Sequence, residues 1–292
     1  MTWRLHLVLV VLLPLVAIGG LIGTGAKLPI PYFDREYVLR FLLPDSPGTG
    51  ELPQIFGAED ETAPLVVIDA GHGGRDPGAV GHGVMEKDIT LTLALALRDE
   101  LVREGSLRVA LTREDDRLLT LQERPEIARQ LGADLFISLH ADSAGEQSEL
   151  SGASIYTLSD RASSAAAARF ARRENDADRL NGITIEGQSA EVSAILVDLS
   201  QRRSQEQSGE FVELILREGE GVYDFVSDAR RAADLMVLHA PDIPSVLFET
   251  GFVTNAEDAQ RLTSPEGREG FVRMMTQAIR IYFARLSEVQ DS

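Results

Sequence analysis

The sequence predicts an α/β fold, in which a mainly parallel, twisted sheet is flanked by helices and forms a single domain with a helical insertion. Two observations lead to this prediction. From residue 64 onward, short apolar runs of strand length alternate with longer segments of helical composition. The chain has 292 residues, 44% of them hydrophobic, which is enough to bury a core in one large domain or two small ones.

The predicted strands are short, β-branched apolar runs that end at glycine or at a polar residue. Five follow one another: "PLVVIDA" (64–70), "LRVALTR" (107–113), "ADLFISLHAD" (133–142), "GASIYTLS" (152–159) and "PSVLFETGF" (244–252). Strands separated by helices form parallel sheets that are covered on both faces.

Three segments are predicted to be helices. In "EKDITLTLALALRDELVREG" (86–105), Ile89 and the following leucines alternate as in a strand. The length, the Ala/Leu content and Gly105 as a stop nevertheless favour a helix. "TLQERPEIARQLG" begins a helix near Thr120, and "SPEGREGFVRMMTQAIRIYFARL" has Pro265 in its first turn.

The N-terminus predicts export. Residues 5–22 are an apolar run preceded by Arg4, and residues 24–26 are a suitable cleavage site, so residues 1–26 are a signal peptide or an N-terminal membrane anchor. We expect this segment to send the remainder across a membrane, with membrane contact only through the segment itself if it is uncleaved. Residues 27–63, with five prolines, are interpreted as a linker.

Residues 161–235 are rich in Ala, Arg and Glu and are too long for a simple connection, so they are predicted to be a helical insertion.

The chain has 28 Lys and Arg against 46 Asp and Glu, a formal net charge of −18. Such a charge argues against nucleic-acid binding and against unaided binding to anionic lipid. Because there is no cysteine, any metal must be held by His, Asp or Glu.

Metal-competent side chains come at the ends of three predicted strands. His72 follows the first, His140 ends the third and Glu249 ends the fifth. Ligand sites in such sheets lie beyond the carboxyl ends of the strands. With Glu86, the two histidines would give Zn²⁺ two imidazoles and a carboxylate, leaving one position for water.

Each residue also has a purely structural interpretation. His72 would be a loop histidine on a glycine turn, Glu86 an acid at a helix N-terminus and His140 a core histidine. Glu249 is harder to explain in this way, because a buried carboxylate without a partner is costly.

The motifs "VVIDAGHGGRDPGAVG", "EKDITL", "LTREDD", "ADLFISLHAD", "GASIYTLS" and "APDIPSVLFETGFVTN" resemble the zinc-dependent N-acetylmuramoyl-L-alanine amidases of bacterial cell division, the amidase-3 family. The resemblance covers residues 64–287, which would form the catalytic domain. It implies that His72, Glu86 and His140 bind zinc and that Glu249 is catalytic. The implied substrate is peptidoglycan, cut at the amide between N-acetylmuramic acid and L-alanine of the stem peptide during wall remodelling and daughter-cell separation.

The resemblance also implies regulation. Division amidases of this family cover the zinc with a helix whose glutamate fills the open position until an activator protein removes it. Here Glu174 in "ARRENDAD" is the candidate inhibitory ligand, with Glu191 behind it. The alternative places Glu174 on a solvated Arg/Glu face. The apolar positions Ile195, Leu196, Leu199, Phe211, Leu214 and Ile215 have helical spacing and would form the docking face and the activator's groove.

Other interpretations stay open. Asp69 or Asp142 would orient a ligand histidine by a hydrogen bond to its ring, or would simply cap a loop. His239 stands where the resemblance leads us to expect lysine, and its alternative is a surface histidine. The linker is too short for the wall-targeting domain of many relatives. A zinc peptidase acting on the stem peptide and a non-catalytic wall-binding module remain alternatives, whereas the absence of GxSxG disfavours a serine hydrolase.

Overall fold

A seven-stranded sheet forms the centre of the fold. The computed structural model describes residues 52–143, 149–180 and 194–290, so the predicted export segment lies outside the described residues. No helix within the described ranges combines the length and the apolar character needed to cross a membrane.

The described residues form nine strands and seven α-helices. The strands are β1 (Ile55–Gly57), β2 (Leu65–Ala70), β3 (Val80–Gly81), β4 (Val84–Met85), β5 (Arg108–Leu111), β6 (Leu135–Asp142), β7 (Ala153–Leu158), β8 (Phe225–Ala233) and β9 (Ser245–Phe252). The helices are α1 (Glu86–Glu104), α2 (Glu123–Leu131), α3 (Ala165–Asn175), α4 (Ala177–Leu180), α5 (Ala194–Gly219), α6 (Ala256–Thr263) and α7 (Pro265–Gln290).

The order of the central sheet is β1-β5-β2-β6-β9-β7-β8, and β3 and β4 form a separate hairpin. β2 runs parallel to β5 and β6, β6 runs parallel to β9, and β7 runs parallel to β8. Only the β1/β5 and β7/β9 pairs are antiparallel in the described sheet. The predicted mainly parallel α/β fold is therefore confirmed.

The helices cover both faces of the sheet. On one face, buried residues of α1, α5 and α7 pack against alternate residues of the central strands. The other face of the sheet carries the remaining strand residues, which include Leu65, Val67 and Leu247. It is covered by α2, α3 and a 3₁₀ turn at Met236–Leu238. This two-sided burial explains why the strand sequences are almost continuously apolar.

The ambiguous segment after residue 86 is a helix, as predicted. Its residues Ile89, Leu93, Leu97 and Leu101 recur every four positions and are all buried. The helix ends at Gly105, which adopts the left-handed conformation and donates its N–H to the Leu101 carbonyl. The regular helix α2 begins at Glu123. At its start, the side chain of Glu123 accepts the backbone N–H of Thr120, and the side chain of Thr120 accepts the backbone N–H of Glu123.

Two predicted boundaries are wrong. Residues 55–57 lie in the predicted linker, but they form β1, which pairs with β5 at the sheet edge. The segment 161–235 is not helical throughout, because it contains β8, which pairs with β7. Pairing with β7 outweighs the Ala/Arg composition of "FVSDARRAA", which by itself favours a helix.

The predicted activator groove is also wrong in part. Phe211, Leu214 and Ile215 of α5 are buried in the main core, where α5 packs against α7 and the sheet. They are therefore structural residues. The side chains of Ile195, Leu196 and Leu199 lie outside the described residues.

Candidate metal centre

The loop after β2 brings His72 to the carboxyl edge of the sheet. His72 itself has a positive φ of 59°, which is uncommon for a residue with a side chain. Two glycines make room for the site: a Cβ on Gly71 would lie 2.7 Å from the His140 ring, and a Cβ on Gly78 would lie 2.6 Å from Glu86 Oε2. The glycine-rich sequence is thus required for the close approach of these side chains.

Three of the predicted residues meet at one point. His72 Nε2 lies 3.1 Å from Glu86 Oε1, and His140 Nδ1 lies 3.0 Å from the same oxygen. Ligand atoms at the corners of a tetrahedral zinc site are about 3.3 Å apart, given bonds of about 2.0 Å. All three side chains are buried. Their spacing is that of a metal site.

The hydrogen bonding of His72 indicates a cation. Its Nδ1 donates to the Asp76 carboxylate at 2.8 Å, so the neutral form of the imidazole has its lone pair on Nε2. Within the described part of the chain, Nε2 is buried without a hydrogen-bond partner and faces the Glu86 carboxylate. A lone pair facing a carboxylate is unfavourable unless a cation lies between them. The donor set therefore fits a bound metal ion.

Glu86 is held as a carboxylate. It is the first residue of α1, and its two oxygens accept the N–H groups of Ala79 and Ala141 at 2.8 and 2.9 Å. Burial alone would raise its pKa, but the neighbouring His72 and His140 outweigh this effect and hold the pKa well below its ordinary value.

Burial alone would lower the pKa of His72, but Glu86 and the bond to Asp76 raise it well above its ordinary value. In the metal-free site the carboxylates thus favour a positive charge at this position. That charge is a proton on the imidazole unless a metal ion replaces it.

Glu174 also lies at this point. It sits at the end of α3, and its Oε2 is 3.8 Å from His72 Nε2 and 3.7 Å from His140 Nδ1. The ligand atoms of His72, His140 and Glu174 all lie within 4.8 Å of one another. Glu174 is buried rather than on a solvated face. Glu191 lies outside the described residues.

Glu249 lies beside this cluster with its carboxylate free. It is opposite His140 in the β6/β9 register, and the Thr250 hydroxyl donates to the His140 carbonyl. Glu249 is 2% exposed, and neither of its oxygens has a hydrogen-bond partner among the residues that the structure describes. Burial, followed by the nearby carboxylates of Asp142 and Glu86, raises the pKa of Glu249 well above its ordinary value.

Asp69 and Asp142 do not orient the histidines. Asp69 accepts hydrogen bonds from Arg124, Ser138 and Thr112. Asp142 pairs with Arg173, although burial raises its pKa to about 7. The carboxylate that holds a histidine is Asp76, which the sequence interpretation missed. Its position four residues after His72 in "HGGRD" was the available signal.

His239 is a surface residue. Its side chain is 49% exposed, and its Nε2 bonds to Asp234 Oδ1 at 2.7 Å. It follows the 3₁₀ turn, where the structural interpretation placed it.

Comparison with known proteins identifies the same segment. The family described as N-acetylmuramoyl-L-alanine amidase matches residues 66–280. N-acetylmuramoyl-L-alanine amidase AmiA of Salmonella typhimurium is 36% identical over 221 residues, which cover 75% of this chain and 76% of that protein. AmiC of Escherichia coli O6:H1 is 33% identical over 222 residues, which cover 75% of this chain but only 53% of the relative.

Solved structures give the same fold. The structure of the CwlD amidase from Clostridioides difficile in complex with the GerS lipoprotein is 27% identical, with a TM-score of 0.56. The match covers 76% of this chain and 98% of that one.

Proposed function

This chain belongs to the N-acetylmuramoyl-L-alanine amidase family, and we propose that it hydrolyses the amide between N-acetylmuramic acid and L-alanine in peptidoglycan, with one zinc ion held by His72, Glu86 and His140. One observation carries the proposal. Two imidazole nitrogens converge on one buried carboxylate oxygen, and an unbonded buried glutamate lies beside them.

The metal-binding residues and Glu249 have different roles in the proposed reaction. The chemistry supplied by bound zinc is polarisation of the scissile carbonyl and activation of a water molecule. The His72 imidazole and the Glu86 carboxylate are fixed by their neighbours, so binding a metal ion requires little rearrangement of these two side chains. Asp76 keeps the proton of His72 on Nδ1 and leaves Nε2 free as a ligand.

Glu249 is assigned to proton transfer. A general base works best when its pKa is close to the working pH, and burial moves the pKa of Glu249 upward from the ordinary carboxyl range. Because no described residue forms a hydrogen bond with either oxygen, both are available to a water molecule and to the departing alanine nitrogen. Glu249 would take the proton from water and return it to that nitrogen.

α3 would hold the site closed at rest. Glu174 fills space beside both histidines, and two further contacts hold the helix. Phe170 stacks on Tyr156 of β7 with ring centroids 4.4 Å apart, and Arg173 pairs with Asp142 at the end of β6. These contacts support a closed state in which Glu174 occupies the position needed by water. An activator protein would then open the site by displacing α3.

The location of the enzyme is proposed from its sequence. The apolar run at residues 5–22 and the wall substrate both point to the periplasm, where the enzyme would act in daughter-cell separation. Fractionation of cells expressing the full chain tests this, and recovery in the cytosol would contradict it.

Product analysis distinguishes the competing activities. Purified protein is incubated with peptidoglycan, with and without a chelator, and the products are identified by mass. An amidase releases stem peptides with a free alanine amino group and leaves intact glycan, whereas a peptidase leaves that alanine attached to muramic acid. Chelation should abolish release and added zinc should restore it. Peptidase products would refute the proposed bond, and binding without turnover would favour a wall-binding module.

A further inference from the structure

Two arginines are buried beneath the loop that carries His72. Arg113 follows β5 and is 0% exposed, and Arg124 lies in the first turn of α2 and is 3% exposed. Neither side chain is among the proposed metal ligands or proton carriers. Burying a guanidinium is costly, so two of them at one place require an explanation.

Arg124 has one carboxylate partner and several carbonyl partners. It donates to Asp69 Oδ1 at 2.8 Å. It also donates to the carbonyls of Ala70, His72 and Leu119, at 2.9, 3.0 and 3.2 Å. The contact with the His72 carbonyl fixes the backbone of a ligand residue directly.

Arg113 is bonded differently. Among the described residues, its hydrogen bonds go to four backbone carbonyls and one hydroxyl rather than to a carboxylate. The carbonyls are those of Ala70, Gly71, Lys87 and Asp115, at 2.8 to 2.9 Å, and the hydroxyl is that of Thr90, at 3.2 Å. Burial and the neighbouring Arg124 lower the pKa of Arg113 to about 10, so the side chain remains charged at neutral pH.

These contacts connect the segments that carry two ligands. The Gly71 carbonyl precedes His72, and the Lys87 carbonyl follows Glu86, and both accept from the same nitrogen of Arg113. Gly73 packs directly on the guanidinium, because a Cβ there would lie 3.1 Å from Arg113 Nε. The loop needs such support, since His72, Gly73 and Gly74 all have positive φ.

Arg113 contributes to stability as well as to geometry. An apolar side chain of similar length would remove the cost of burying a charge, but it would leave four backbone carbonyls without their donor, so the replacement should lower stability. An apolar side chain would also not hold the Gly71 and Lys87 carbonyls together. We propose that Arg113 is a positioning residue of the metal centre, assisted by Arg124. It fixes the loop after β2 relative to the first turn of α1, so that His72 and Glu86 are directed at one ion. This inference rests on the proposed zinc site.

The test compares Arg113→Met and Arg113→Lys with the wild-type protein. Zinc affinity is measured by competition with a chromophoric chelator, ligand geometry from the visible spectrum of the cobalt-loaded protein, and folding from the melting temperature without metal. We expect zinc binding to weaken by about 10- to 100-fold in Arg113→Met, with a changed cobalt spectrum. The lost hydrogen bonds should also lower the metal-free melting temperature, and an equally destabilised control separates this effect from the loss of zinc affinity. Arg113→Lys keeps the charge but loses the planar fork, so it should not restore wild-type affinity.

Leu97→Ala is the matched control. Leu97 is fully buried in α1, three turns beyond Glu86. This variant should melt at a lower temperature and keep wild-type zinc affinity.

The outcomes separate the inference from the proposed function. If the wild-type protein binds no zinc, or if His72→Ala binds it equally well, the proposed site is wrong. If the wild-type protein binds zinc and Arg113→Met matches it in affinity and spectrum, the positioning role is overturned. Should Arg113→Met fail to fold, Arg113→Lys decides. Failure of both to fold would make Arg113 a requirement of the fold and would also overturn the inference.

Discussion

Replacing Glu249 by glutamine should separate catalysis from both metal binding and stability. Glutamine has the shape of glutamate but cannot accept a proton at neutral pH. Removing a general acid–base typically costs 10²–10⁴ in rate, or about 2.7–5.4 kcal/mol of transition-state stabilisation at about 1.36 kcal/mol per factor of ten. Zinc should stay bound at full occupancy, because Glu249 is not among the three proposed ligands.

The metal-free fold should lose no stability from this change. Neither oxygen of Glu249 has a hydrogen-bond partner in residues 52–143, 149–180 and 194–290, so the substitution breaks no hydrogen bond there. The pKa of Glu249 is raised in the folded state, so the wild-type carboxyl reduces stability as the pH rises from the unfolded value of about 4.3 through the folded value. The Glu249→Gln variant has no ionisable group at this position, so it does not lose this stability as the pH rises. At neutral pH without metal, the variant should therefore be at least as stable as the wild-type protein.

The assay measures three quantities on the same preparation. Release of peptides from peptidoglycan gives the rate, elemental analysis gives the zinc content, and urea unfolding without metal at pH 5 and pH 8 gives the stability difference. Near-normal turnover would refute the proton-transfer role. Loss of zinc would show that Glu249 is a ligand, and a destabilised variant at pH 8 would contradict the electrostatic reasoning.

Three further predictions follow from the site. His72→Ala and His140→Ala should each lose most of their zinc, and full occupancy in both by elemental analysis would reject the ligand assignment. Glu174→Ala should raise activity without an activator by several-fold, whereas the exposed control Glu210→Ala should not; equal rates in all three proteins would show that Glu174 does not close the site. Zinc affinity should weaken as the pH falls from 8 to 6, because the raised pKa of His72 lets protons compete with zinc at a higher pH than they would at an ordinary histidine. A zinc affinity that is constant over this range in a chelator titration would contradict the prediction.

The sequence was sufficient to bring the main residues of the site together. His72 follows a parallel strand, His140 and Glu249 lie in the carboxyl-terminal halves of two others, and the carboxyl ends of parallel strands meet at one edge. The β6/β9 register then places Glu249 opposite His140. The role of Glu174 as a neighbour of these residues came from the family resemblance, since no periodicity in α3 points to it.

Other features depend on tertiary contacts that no local pattern carries. β1 has only three residues, and β8 has the composition of a helix, so both are defined by the strands that they pair with. The apolar face of α5 has the same spacing whether it packs in the core or binds a partner. Its burial became evident only from its contacts with α7.

The clearance at Gly71 and Gly78 has a consequence for judging which relatives are active. A methyl group at Gly71 would meet the His140 ring, and one at Gly78 would meet both Glu86 and His72. A homologue that retained all four metal-binding and catalytic side chains would therefore lose the centre if either glycine acquired a side chain. A survey of inactive homologues should therefore examine these two positions together with the ligands, because the lack of a Cβ at Gly71 and Gly78 is as informative about activity as the presence of the ligand side chains.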